Sequence, residues 1–214
     1  MLSVYPSDHA AAGLLLAPGA GGGQRSRFMV QAADALAARG IAVATFDFAY
    51  TAAGRKVPDK APVLEARWRE AIEAARVAPA LAGLPLFIGG KSMGGRIASQ
   101  VAAQQVAGVS GLVYLGYPLH PPGKPGQRRD GHLPAVTEPM LFVQGTRDDF
   151  GTAAEIRDLL PQLNDRARLF EVVDGDHSFN VRISVAGKRP GAVLADICDT
   201  VTGFIQTCAN STSR

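Results

Sequence analysis

With 214 residues, 47% hydrophobic and 19% charged, the chain can bury one substantial core and is sized for a single domain spanning residues 1–214. Its formal charge of +3 is dispersed rather than gathered into runs, which argues against nucleic acid as a partner. No apolar run nears the roughly 20 residues that cross a bilayer, and AAAGLLLAPGA at residues 10–20 lacks the basic lead-in of a secretory signal, so no membrane partner is expected.

In chain order, Leu14–Ala17 reads as a first strand, ended by Pro18 and a glycine cluster. A helix follows from a cap at Ser26 to about Arg39, with Phe28, Ala32 and Leu36 on one face and Gly40 as its stop. Ile41–Phe48 is a second strand, and Val63–Val77 a helix that buries Leu64, Trp68, Ile72 and Ala75. Leu84–Ile88 is a third strand, with Gly94–Gln105 the helix behind it. Val109–Leu115 is a fourth, followed by the loop His120–Pro134. Met140–Gln144 is a fifth, with a helix over about Thr152–Leu163, and Leu169–Val173 a sixth. A last helix runs from about Ala192 to Cys208, and the tail ANSTSR is expected to fray. Cys198 and Cys208, ten helical residues apart, are separated by about 15 Å and cannot bridge, so free thiols and a cytoplasmic location are expected.

Most of these strands are unbroken apolar runs, the pattern of a parallel sheet covered by helices on both faces. The expected fold is therefore α/β: a doubly wound, mostly parallel six-stranded sheet in the order 2-1-3-4-5-6.

The stretch GGKSMGG at residues 89–95 admits three readings. A phosphate-binding P-loop needs a glycine at position 85, where this chain has Pro85. A dinucleotide loop could begin at Gly19 and Gly21, with Asp47 as ribose-binding acid, but its last glycine is replaced by Gln24. The third reading is G-x-S-x-G, with Gly90, Ser92 and Gly94 at a strand-to-helix turn that exposes the serine hydroxyl. Glycines are needed there because strand and helix pass too closely for side chains.

A serine so placed needs a histidine base and an acid, in the chain order Ser, Asp, His. QGTRDD follows the fifth strand and offers Asp148 and Asp149; DGDHSF follows the sixth and offers His177. Asp148 is the preferred acid, with Asp149 read as a cap or first-turn acid of the next helix. Asp174 and Asp176 read as turn formers, and His9, His120 and His132 as solvated loop residues. Strands one and three are neighbours in the expected order, so the loop Gly19–Gly23 lies beside Ser92. The N–H of Met93 and one from Ala20 or Gly21 would then form an oxyanion hole.

GGKSMGGR, QGTRD and GDHSF, with APGAGGG upstream, together resemble the α/β-hydrolase superfamily over nearly the whole chain. The nearer resemblance is to a small dienelactone-hydrolase-like group that includes testis-expressed proteins and a chromatin-complex subunit. It implies Ser92 as nucleophile, Asp148 as acid and His177 as base, with no metal or organic cofactor. This chain has Pro18-Gly19 where many hydrolases have His-Gly, starts at what is usually the third strand, and lacks a long cap insertion. The expected activity is cleavage of an ester or thioester of a small acyl substrate through an acyl-enzyme. The alternative is a hydrolase-fold scaffold with little activity. Lys124, Arg128 and Arg129 in the His120–Pro134 loop, or Lys91 and Arg147 beside the site, could attract an anionic substrate. Solvated loop charge and a solvent-facing Lys91 are the plainer readings. Oligomeric state is left open.

Overall fold

Strands β2 (Ala12–Ala17), β3 (Ile41–Phe46), β5 (Gly111–Leu115) and β6 (Met140–Gly145) are buried at every position. A strand covered on both faces has no polar side to alternate with, which is why each reads as a continuous apolar run. In β2 successive residues serve two different cores: Leu15 and Ala17 pack with α3 (Ala61–Arg76) and α4 (Met93–Ala102), while Leu14 and Leu16 pack with α1 (Arg27–Ala37) and α6 (Ala192–Thr212). The short helices α2 (Ala49–Ala52) and α5 (Ala153–Leu159) complete the first of these layers. The structure, a computed structural model, describes residues 1–182 and 191–212.

With β4 (Leu86–Lys91) and β7 (Ala167–Val172), the strands align as β1-β3-β2-β4-β5-β6-β7. The parallel part of the sheet has the expected order, but the strand count was one short. The added strand, β1 (Leu2–Tyr5), pairs antiparallel with the outer side of β3, Leu2 opposite Phe46 and Tyr5 opposite Val43. It is four residues long and only partly buried, so it leaves no apolar run to read.

Other boundaries moved for local reasons. β4 continues three residues past the expected end at Ile88, through both glycines to Lys91. A Cβ on Gly89 would stand 1.9 Å from the carbonyl oxygen of Val113, and one on Gly90 2.3 Å from that of Ala17. The strand's neighbours press so closely that only glycine continues it. The helix expected to reach Leu163 ends at Leu159 and gives way to a 3-10 turn over Leu160–Arg166, because Pro161 has no N–H for an α-helical bond. The expected fraying at ANSTSR is replaced by helix as far as Thr212; Ser213 and Arg214 lie outside the described residues. Both cysteines lie on α6, and neither is in a disulfide. Among the described residues, no helix is long and apolar enough to cross a membrane.

The single tryptophan ties the core to the functional edge. Trp68 of α3 is fully buried and packs edge-on against Phe46, with ring centroids 4.8 Å apart. Its Nε1–H donates to the carbonyl of Gly94 at 3.2 Å.

Candidate active site

Ser92 sits between β4 and α4 with φ 51° and ψ −119°, a conformation that costs a non-glycine residue of order 1–3 kcal/mol. The surroundings hold it there. Its N–H donates to Leu115 O at 3.0 Å, and its own carbonyl accepts from Arg96 N at 3.1 Å. A Cβ on Gly94 would lie 2.4 Å from Ala17 O and 2.6 Å from Pro18 O, so α4 starts in direct contact with the end of β2. The turn projects the Ser92 hydroxyl away from both backbones.

That hydroxyl meets a histidine delivered from another strand end. Ser92 Oγ is 2.8 Å from His177 Nε2, and His177 Nδ1 is 2.9 and 2.8 Å from the two oxygens of Asp148. Asp148 is buried and accepts further bonds from Phe150 N (2.8 Å) and Gln144 Nε2 (3.0 Å). With Nδ1–H directed at the carboxylate, Nε2 is left as the acceptor for the serine proton. Phe150 lies along the imidazole, centroids 4.2 Å apart. Asp149 is exposed, and it is not the helix cap expected of it. Thr152 takes that place, forming a reciprocal capping box with Glu155.

The loop after β2 passes against the serine. A Cβ on Gly19 would stand 3.5 Å from that of Ser92, and Ala20 lines the cavity beside Ser92 and Met93. Gly21 points its vacant Cβ position into open space. Tyr50 Oη donates to Ala20 O at 3.0 Å, which fixes the peptide between Ala20 and Gly21. Further along, Gln24 donates its N–H and side-chain amide to Asp47 at 2.7 and 3.2 Å and accepts from Thr45 Oγ1. Asp47 thus clamps this loop instead of standing where a ribose-binding acid would.

Two histidines depart from expectation. His120 is buried, with Nδ1 2.9 Å from Pro121 O and Nε2 3.0 Å from Glu155 Oε1. His132 Nε2 is 2.7 Å from Ser99 Oγ on α4, and burial together with Arg96 pushes its pKa down. His120 is shielded from solvent and His132 partly so, because the segment after β5 folds onto α4 and α5. His9 is exposed, as expected.

Lys91 is not turned to solvent either. Its ammonium donates to the carbonyl of His177 and lies 5.1 Å from the Phe179 ring centroid. Burial lowers its pKa to about 8, against the opposing pull of Asp148 and Asp176. Arg147 is engaged by Asp174 at 2.8 Å. Asp174, at a positive-φ turn, also pairs with Arg182, which holds its carboxyl down at about 2. Asp176 accepts from Ser178 N at 2.8 Å and Asn180 N at 2.9 Å, a side-chain turn of the expected kind.

A cavity of about 270 Å³ opens beside Ser92. Leu64, Pro118 and Phe150 give it apolar walls, and Arg96 and Arg129 also line it. Arg96 was missed in the sequence because one arginine on an amphipathic helix reads as a solvated face. Among the described residues, no group of three or more His, Cys, Asp or Glu side chains is placed to hold a metal ion.

Residues 10–206 match the family described as Alpha/beta hydrolase domain, and the chain belongs to that family. Solved structures that share its fold include esterases and hydrolases. Est1E from Butyrivibrio proteoclasticus, solved with ferulic acid bound, superposes with a TM-score of 0.74 at 14% identity, covering 96% of this chain and 93% of that one. The dienelactone hydrolase of Anabaena variabilis gives 0.72 at 22% identity, over 94% and 88%. A serine hydrolase without a lid from Xanthomonas campestris gives 0.71 at 20%, over 96% and 88%. At these identities the likeness is one of fold.

Proposed function

We propose that this protein is a serine hydrolase that cleaves carboxylic esters or thioesters through an acyl-enzyme. The observation that carries the reading is the 2.8 Å approach of Ser92 Oγ to His177 Nε2, with Nδ1 of the same ring held by buried Asp148. His177 takes the serine proton as Oγ attacks the acyl carbon; the carbonyl electron pair moves to oxygen. Asp148 fixes the tautomer and stabilises the imidazolium. Collapse of the tetrahedral adduct expels the alcohol or thiol, which leaves with the proton from Nε2. Water then repeats the sequence and frees the acid and Ser92.

The oxyanion is received by the N–H groups of Met93 and Ala20. Met93 is the first residue of α4, where the backbone N–H has no helical acceptor. Ala20 rather than Gly21 is the second donor, because Ala20 lines the cavity next to Ser92. Cys198 and Cys208, neither of them in a disulfide, fit a reducing compartment such as the cytoplasm.

The test is covalent. A fluorophosphonate is expected to label Ser92, and a chromogenic short-chain ester to give a burst of product. Ser92→Ala should abolish the label and lower kcat by about 10⁶-fold. A folded protein that takes no label and turns over no ester would instead be a scaffold.

A further inference from the structure

The cavity beside Ser92 carries positive charge that the protein leaves unanswered. Of the three loop cations legible in the sequence, Arg128 is bound to Asp130 through Nε (3.2 Å) and a second guanidinium nitrogen, and Lys124 is exposed at the loop tip. Arg129 turns the other way and lines the cavity, and among the described residues its guanidinium has no hydrogen-bond or ion-pair partner. Arg96, one helical turn beyond Ser92, meets it there. Arg96 donates to Gln100 Oε1 at 3.3 Å, while its Nε is buried with no partner.

Carboxylates near this pair are committed elsewhere. Asp59, also on the lining, is held by Arg55 at 2.8 Å. Glu65 is engaged by Gln104 at 2.9 Å and by Arg69 at 3.7 Å. Asp130 serves Arg128. Burial, and then the neighbouring Arg129, make the charge on Arg96 harder to hold than usual. A second guanidinium beside the buried one, with no anion between them, is a standing cost that a ligand anion would relieve.

We propose that this cavity is an anion subsite, in which Arg96 and Arg129 hold a carboxylate or phosphate group carried by the ester substrate a short apolar span away from the scissile carbonyl. The inference rests on the hydrolase reading above and narrows its substrate class. Leu64 and Phe150 cover the apolar span, and planar guanidinium forks suit either oxyanion. The second oxygen of Asp59, buried and without a partner, is available to accept from a hydroxyl on the same ligand.

The experiment compares kcat/KM for chromogenic aryl esters of one chain length that end in methyl, carboxylate, phosphonate or trimethylammonium. One of the two anionic esters is expected to exceed the methyl ester by about 10- to 100-fold, the size of a charge-assisted contact, and the better arm identifies the anion. Arg129→Glu, a loop change that breaks no contact of the Arg129 side chain, should invert the order in favour of trimethylammonium. Arg96→Met should pull the anionic-to-methyl ratio toward one. A wild-type enzyme that hydrolyses the methyl ester equally well, or an order unmoved by Arg129→Glu, overturns the subsite and leaves the hydrolase standing. If no ester turns over and Ser92 resists the fluorophosphonate, the hydrolase reading fails instead. The subsite then stands or falls on saturable thermal stabilisation by glutarate or inorganic phosphate that Arg129→Glu removes.

Discussion

The turn between β4 and α4 and the segment that follows β5 border the same cavity but differ in what holds them. The turn is fixed by backbone. Gly90 and Gly94 touch the carbonyls of β2, and Ser92 is locked by main-chain bonds on either side. The later segment has main-chain bonds too, such as Arg129 N–H to Leu119 O at 2.8 Å, but adds side-chain pins: Tyr117 N–H on Gln144 Oε1 at 2.7 Å, His120 against Glu155, His132 against Ser99. A backbone-locked turn tolerates little change, which suits the nucleophile proposed at Ser92. A loop pinned by side-chain hydrogen bonds can exchange its residues, Arg129 among them, without disturbing the sheet. On the proposed reading, reaction and selectivity rest on supports of different stiffness.

The sharpest attack on this contrast is Gly94→Ala. One methyl at 2.4 Å from Ala17 O forces β2 and the turn apart, with an expected loss of about 3 kcal/mol in stability and about 100-fold in kcat. Denaturant melts and single-turnover rates measure both; a variant within 0.5 kcal/mol of wild type would mean that the turn is not backbone-locked. Ser99→Ala probes the other support. It strands His132 Nε2 and should cost about 1.5 kcal/mol, or about 3–6 °C in Tm, while KM moves more than kcat. A larger effect on kcat would show that the loop reaches the reacting atoms.

The smallest effect crosses between the two strand ends, through Lys91. Its folded pKa near 8 lies below its ordinary value of 10.5, so between those limits the unfolded chain binds more protons and stability rises with pH on this group's account. Lys91→Met removes that rise. Its Tm relative to wild type should therefore fall between pH 7 and pH 10, by the equivalent of about 1 kcal/mol once screening at a partly exposed position is allowed for. A difference that stays flat with pH would show that the ammonium is not desolvated.

The same division of labour decided what could be read from the chain. Parallel strands announced themselves as apolar runs, and Ser92, Asp148 and His177 could be located because each directly follows the carboxyl end of one. Strand β1 could not, being short and half-exposed, and β4 was cut short because glycine carries no strand signal. Residues after β5 look like a polar, proline-rich loop, so nothing local marks His120 as buried or His132 as half-buried and bonded. Their partners, Glu155 and Ser99, lie 35 and 33 positions away. Arg96 and Asp47 are ordinary charges until the fold sets them beside Ser92 and the glycine loop.

Trp68, whose indole N–H rests on the Gly94 carbonyl, gives the molecule a built-in optical probe. The chain has no second tryptophan, so its fluorescence comes from one known place. Breaking that bond by straining the serine turn, or acylating Ser92 one helical step away, would alter the indole's polarity and shift its emission. Occupancy of the proposed nucleophile could then be followed in real time on unlabelled protein.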